Sequence, residues 1–508
     1  MKAKSFRILA PLAAMLALPA FAVTLINPVV DVIGHSGSDF ATWGYGTNSY
    51  KDWGNEPFVA VNPTNPNKIV VSSFAYGTGS TTGIGANIFY STDGGSNWGA
   101  RFPIPAPSAG VGIPNDWNFA YDSAGNLHGV VLGGCNSCNI YQGMTADPNL
   151  DGQLGRLPST WTWTGAGTRI NSAGSTNKAD QPWIAVGNGK VFVGYDDFSV
   201  STSERVTVSN DNGVTFTVDN PIANTVGSFT NPGTRIALDS TGTVYSIIGI
   251  GDSKAGDLSH VLYRLNRSTN GGATWDYTAA NPGPGGLIVD AGNSTQISSS
   301  ASWFAGVNEL RGNITAIASD ALGGHVYVVY GKQDPGNGNA ERLWLAEFHP
   351  VGGNLVERAS PIPFSIPGQR SALPSVTVLD DGTVVVMYDA YSTQDGRVHL
   401  HVATSTDLGL SFADDQDIYN FTPLSLASIG LPSGNREFGD YQYLMHIGQT
   451  FYGAFAGVGN VNGGGINTTN LVDPFFFSGT FSAVPEPASV ALVMFGMLGI
   501  GVLRRRRS

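Results

Sequence analysis

An apolar run, a short polar turn and a second apolar run recur seven times along the chain: Phe58 to Phe74, Phe119 to Leu132, Trp183 to Tyr195, Arg235 to Ile248, Ile314 to Tyr330, Ser375 to Tyr388 and Tyr443 to Phe455. Short alternating or continuous apolar runs bounded by Gly, Asn and Asp predict β-strands joined by hairpins. The turns carry hairpin chemistry at Asn188-Gly189, Asp239 to Gly242 and Asp381-Gly382. In the first six copies a third strand follows, such as Val206 to Val208 or His399 to Ala403. A fourth strand completes the unit. The seventh unit degenerates after Phe455, and its outer strand is expected from the N-terminus, around Thr24 to Ile33.

A second pattern, Ser-x-Asp/Asn-x-Gly-x-x-Trp/Phe, falls between the third and fourth strands of four units. It spans Ser91 to Trp98, Ser209 to Phe216, Ser268 to Trp275 and Ser405 to Phe412. Successive starts lie 118, 59 and 137 residues apart. A unit of about 60 residues fits a propeller blade better than a solenoid repeat. Asp93, Asp211, Asn270 and Asp407 can hydrogen-bond the backbone of a tight turn, Gly supplies a positive φ, and the aromatic packs between sheets.

These four segments resemble the Asp-box of sialidases and related proteins. The resemblance implies a structural role for the boxes, away from the active face. The expected fold is all-β: a single β-propeller of four-stranded blades over residues 24–482, seven-bladed by the hairpin count, with the six blades of the sialidases as the alternative. Seven is thus a departure from that family. Another is that the Arg-Ile-Pro motif of sialidases is absent from the first blade, which reads Asn55-Glu56-Pro57-Phe58. The nearest phrase, Thr234-Arg235-Ile236-Ala237, belongs to blade four.

The two ends read as addresses. Residues 1–22 have a basic start (Lys2, Lys4, Arg7), an apolar stretch and Ala20-Phe21-Ala22, as a signal peptide requires. Residues 484–508 run from Val484-Pro485-Glu486-Pro487 through an apolar stretch to Arg504 to Arg507. This resembles the PEP-CTERM sorting signal, which implies a Gram-negative source, processing by an exosortase-type enzyme and delivery to the cell surface or matrix. Of the 508 residues only 13% are charged, and the formal net charge is -12. Seven of the 26 basic residues and none of the 38 acidic ones lie in segments 1–22 and 488–508, so segment 23–487 carries -19. That balance argues against a nucleic-acid partner.

Chemistry is sought at the face opposite the boxes, which is reached just before each first strand and just after each second one. Acids, arginines and aromatics recur there: Glu56, Asp116, Trp117, Asp180, Trp183, Asp196, Asp197, Arg235, Arg311, Arg370, Asp389, Arg436, Glu437, Asp440, Tyr441 and Tyr443. Trp53 and Trp303 fall near the same face, and exposed indoles stack on sugar rings. The sialidase resemblance implies Arg235, Arg370 and Arg436 or Arg311 as a carboxylate grip. It implies Tyr441 or Tyr443 with Glu437 as nucleophile pair, and Asp116 or Asp180 as acid. A polysaccharide lyase would recruit His260, Tyr391 and Arg397. The remaining classes are a secreted glycoside hydrolase and a non-catalytic glycan- or exopolysaccharide-binding matrix propeller. Cys135 and Cys138 are the only cysteines, and a disulfide is expected in an exported chain. Asp147, Asn149 and Asp151 read as the start of a calcium loop, although Pro158 stands where its bidentate Glu would be. No cofactor is required by any of these readings.

Overall fold

The computed structural model describes residues 20–32, 55–74, 87–98, 104, 106–108, 111, 115–133, 138–146, 161–171, 179–197, 203–224, 234–251, 261–277, 286–290, 314–321, 324–334, 340–358, 361–423, 438–458 and 472–484. The expected calcium loop, Cys135, Trp53, His260, Trp303, Arg311, Arg436 and Glu437 lie outside these residues. Residues 25–480 form one compact unit. In a second unit, drawn from the two chain ends, the described residues are the strand ends 20–24 and 481–484.

Seven antiparallel sheets make a seven-bladed β-propeller. Their inner strands are Asn55–Val61, Asn115–Tyr121, Ala179–Gly187, Arg235–Leu238, Ala316–Ser319, Arg370–Val378 and Tyr443–Ile447. Each contacts the next, and the seventh contacts the first, so the ring closes. The seven hairpins read from the sequence are the seven inner pairs. Apolar residues on both faces of each blade pack against its neighbours. Phe58, Phe192, Val208, Ile236 and Trp275, for instance, share one cluster.

Blade seven takes its outer strand, Ala20–Asp31, from the N-terminus, beside Val472–Val484. Val32 N–H donates to Pro474 O at 3.1 Å. Asn27 Nδ2 donates to Ser478 Oγ at 2.9 Å and to Gly94 O of blade one at 2.7 Å. This pairing covers the outer edge of Val472–Val484 and ties the N-terminal strand into the last blade. Blade one shows three strands among the described residues, and blade five splits its outer strand into Asn354–Glu357 and Ile362–Pro363.

The four repeated turns share one hydrogen-bond pattern. Ser91 Oγ donates to Asp93 Oδ1 at 2.9 Å, Gly95 N–H to Ser91 Oγ at 2.9 Å, and Asn97 N–H to Asp93 Oδ1 at 2.9 Å. The same three bonds recur around Asp211, Asn270 and Asp407. Gly95 has φ 95°, and a Cβ there would lie 2.2 Å from Phe476 of blade seven. The turn therefore needs glycine both for its backbone and to seat the neighbouring blade. Trp98 meets the same Phe476 edge-on at 5.1 Å.

Candidate functional site

A channel of about 310 Å³ runs between the inner strands and is walled by all seven blades. Most of its lining is apolar: Val59, Ala120, Ala185, Ala237, Ala316 and Val376. Trp183, Arg235, Tyr441 and Gln442 line one end, and Thr377, Ser319 and His446 stand at the other.

A repeated backbone device builds the first end. Glu56, Asp116, Gln181 and Leu373 occupy equivalent places at the start of inner strands and all have φ between 48° and 52°. Each sits where the register with the second strand shifts. A bulge re-aims the side chain it carries, and a left-handed non-glycine residue costs on the order of 1–2 kcal/mol. In blade seven the corresponding residue is Gly439, at φ 78°. The Glu56 side chain lies across it, since a Cβ on Gly439 would fall 2.0 Å from Glu56 Cγ.

Side chains from blades one, two, three, four and seven meet here. Asp440 N–H donates to Glu56 Oε1 at 3.0 Å. Gln181 Nε2 donates to Asp440 Oδ2 at 2.8 Å, and Arg235 Nη2 reaches Gln181 Oε1 at 3.4 Å. The Arg235 guanidinium lies 4.2 Å from the Trp183 ring centroid and 5.4 Å from that of Tyr441. The two rings meet edge-on at 5.5 Å. Tyr443 stacks on Phe58 at 3.7 Å and supports the Trp183 wall. Glu204 stands opposite Asp196 in the sheet and accepts from Thr234 Oγ1. Glu56 is 3% exposed, Asp116 6%, Arg235 2% and Tyr441 3%. Asp180 is half-buried.

Burial sets the electrostatics. It raises the Asp116 carboxyl well above the usual carboxylate range, helped by Glu56, which hydrogen-bonds to it, and by Asp180 and Asp440. Asp196 is likewise raised by burial, then by Glu204 and Asp180, with Arg235 opposing. Burial also raises the Tyr441 phenol, with Asp116 and Glu56 adding to the effect and Arg235 opposing it. Burial lowers Arg235 while Tyr441 and the carboxylates counteract. Tyr443 is pushed up to about 12 by burial. Asp196 hydrogen-bonds to Glu204, whereas the Tyr441 hydroxyl, Asp116 Oδ1 and Gln442 Oε1 find no hydrogen-bond partner among the described residues. Unpaired buried polar atoms are costly, and others occur in blades away from the mouth, at Trp275 and Asp389.

The structure thus gathers Glu56, Asp116, Asp180, Asp196, Arg235, Asp440, Tyr441, Trp183 and Tyr443 from the sequence list, and adds Gln181, Glu204 and Gln442. It corrects others. Trp117 was expected at the mouth, but it is packed in blade two, parallel to Phe119 at 5.5 Å and beside Trp161 and Trp163, because the bulge turns it to the core side. Arg370 stands half-buried three residues before Leu373, in register with Tyr391. Asp197 is drawn to Arg205 at 4.0 Å. Asp389 is sealed in blade six between Ala372 and Leu400 and raised by burial. Of the lyase set, Arg397 donates to Asn420 O of its own blade, and Tyr391 packs on the apolar cluster around Phe421. No group of three or more His, Cys, Asp or Glu side chains among the described residues could hold a metal ion.

Residues 483–507 match the PEP-CTERM protein-sorting motif. That motif indicates export to the surface or exterior of a Gram-negative cell and processing by an exosortase. No curated protein matches the sequence. Solved structures similar to the chain include a polysaccharide lyase, an ulvan lyase, at 11% identity and TM-score 0.48, covering 84% of this chain and 94% of that one. Another is an α-L-arabinofuranosidase from Fusarium graminearum, at 9% and 0.46, covering 75% and 98%. A third is the Trypanosoma rangeli sialidase, at 12% and 0.39, covering 72% and 53%. At such identities the likeness is one of fold.

Proposed function

We propose that this exported propeller is a carbohydrate-active protein, a glycoside hydrolase working at the channel mouth on extracellular glycans. The observation that carries the reading is the Tyr441 hydroxyl: it has no protein partner among the described residues, and it stands with Glu56, Arg235 and Asp116, whose carboxyl burial raises, at an end of the channel lined by Trp183 and Tyr443. Glycoside hydrolysis needs an acid that keeps its proton at working pH and a second group that can attack or activate water.

In the proposed cycle Tyr441 Oη attacks the anomeric carbon, and its proton passes to Glu56. Asp116 gives its proton to the departing glycosidic oxygen. Water then displaces tyrosine from the glycosyl intermediate and gives a proton back to Asp116, while Tyr441 recovers its own from Glu56. Arg235 steadies the phenolate as the proton leaves. Trp183 offers a face for the sugar ring.

Deep burial of Asp116, Arg235 and Tyr441 favours a second reading, a matrix propeller that binds saccharide without turnover. A hydrolysis and binding screen of the purified chain separates the two. Release of sugar that is lost in Tyr441→Phe and Asp116→Asn supports the enzyme. Binding without release, weakened in both variants, supports the binder. We further propose that the four repeated turns are Asp-boxes with a structural role. Segment 1–22 is proposed to be the signal peptide that is removed on export.

A further inference from the structure

The chain leaves the propeller on the face of the repeated turns. Thr480 pairs with Thr450, which follows the hairpin turn of blade seven. Gly448 O of that turn accepts from Asp380 N–H, in the corresponding turn of blade six, at 3.3 Å. The repeated turns flank such hairpin turns: Gly94 N–H donates to Asn67 O at 3.0 Å and Asn212 N–H to Gly189 O at 2.9 Å. Seven residues separate Thr480 from the uncharged apolar run Ala488 to Leu503, which Arg504 to Arg507 follow. Such a run favours lipid, and seven residues reach at most about 30 Å. The exit face is therefore kept near the membrane while the tail is attached.

That face also carries the exposed large apolar side chains of the described residues: Ile26, Val214, Val351, Val356, Leu408 and Leu410. Val214, Leu408 and Leu410 stand in repeated turns, and Val351 and Val356 flank the hairpin between the third and fourth strands of blade five. Ile26 precedes Asn27, which reaches Gly94 O. The turns of blades five and six adjoin, since Arg358 Nη1 donates to Leu408 O at 2.8 Å. Leu408 is an unfavourable residue for its place. It has φ 62°, where the other three turns hold Gly94, Asn212 and Gly271, and its side chain is 41% exposed. Left-handed backbone disfavours leucine, so neither local conformation nor burial explains this choice. Asp93 and Asp211 are exposed on the same face, so apolar contact, not attraction to anionic lipid, is the force available there.

We propose that, before the tail is removed, the propeller rests on the lipid surface through the apolar residues of blades five and six, Val351, Val356, Leu408 and Leu410. The channel mouth, on the opposite face, then points away from the membrane. This inference stands apart from the saccharide reading.

The test uses the full chain inserted by its own tail into phosphatidylcholine vesicles that contain nitroxide-labelled lipid. A fluorescent amino acid replaces Asn354, exposed beside Val351 and Val356, or Thr393, exposed on the opposite face between the second and third strands of blade six. Quenching by the labelled lipid is expected to be at least threefold stronger at 354 than at 393, and to survive high salt. Leu408→Asn with Leu410→Ser copies the residues that other repeated turns hold, Asn212 and Ser96. This double variant is expected to lose at least half of the quenching at 354 at an unchanged melting temperature. Equal quenching at the two positions overturns the inference, as does quenching that persists in the double variant or a chain that does not float with the vesicles. Absence of quenching at 354 together with concentration-dependent cross-links between copies over these residues also overturns it, and assigns the face to a second copy of the chain.

Discussion

The two faces of the propeller use the same side chain in opposite ways. On the turn face Asp93, Asp211 and Asp407 accept backbone and hydroxyl donors supplied by residues within four positions of their own. Those bonds hold the three carboxyls below the usual range, against the opposing effect of burial. At the channel mouth Asp116 and Asp196 are sealed among other carboxyls, and burial pushes them up. A carboxylate with its donors in place stabilises the fold. A carboxyl sealed from water without full satisfaction costs stability, and such costs gather at sites that do chemistry.

The largest effect that would break this contrast is on activity. Tyr441→Phe or Asp116→Asn is expected to lower turnover by about 10²–10⁴, the usual worth of a positioned acid or base. Neither should unfold the chain, and Tyr441→Phe deletes a hydroxyl that has no protein partner among the described residues. Steady-state kinetics with calorimetry on the same samples checks both halves.

The pH dependence sharpens the contrast next, because its sign differs between faces. Asp196 has a folded pKa above its unfolded value of about 3.9, so the native state holds the extra proton and stability falls as pH rises toward the folded value. Asp196→Asn should therefore raise the melting temperature at pH 8 more than at pH 5. Asp407 has a lowered pKa, so its contribution is present above about pH 4 and is lost as pH falls through the folded value. Melting curves of Asp407→Ala should approach wild type in acid, and curves that stay parallel would defeat the linkage.

Stability gives the smaller effects. Asp407→Ala removes the acceptor for Ser411 N–H and Ser411 Oγ, and is expected to cost about 1–2 kcal/mol at pH 7 without altering saccharide preference. Asn27→Ala breaks the clasp between blade seven's outer strand and Gly94, and is expected to cost about 1 kcal/mol in denaturant unfolding.

The blade count and the closing strand were legible because apolar period, turn chemistry and motif spacing agree with one another. Hairpin pairing also told which residues reach the mouth, so Glu56, Asp116, Asp196, Arg235 and Tyr441 could be read as neighbours. Gln181 was missed because a neutral amide carries no charge signal, although Glu56-Pro57, Gln181-Pro182 and Leu373-Pro374 repeat one arrangement in the first turns of three inner strands. Glu204 was missed because it enters from a third strand, brought opposite Asp196 by register. Trp117 was misplaced because the Asp116 bulge interrupts the alternation that assigns faces. Left-handed backbone at Glu56, Asp116, Gln181 and Leu373 is a tertiary outcome, as no local pattern at those residues demands it.

The central claim is that the channel mouth handles saccharide through Tyr441 and Asp116. It is tested most directly by incubating the purified chain, and its Tyr441→Phe and Asp116→Asn variants, with a panel of neutral, amino and acidic glycosides and assaying released sugar. Release of sugar from a member of the panel, lost in both variants at unchanged melting temperature, is the predicted result. Release that persists in both variants would contradict the account.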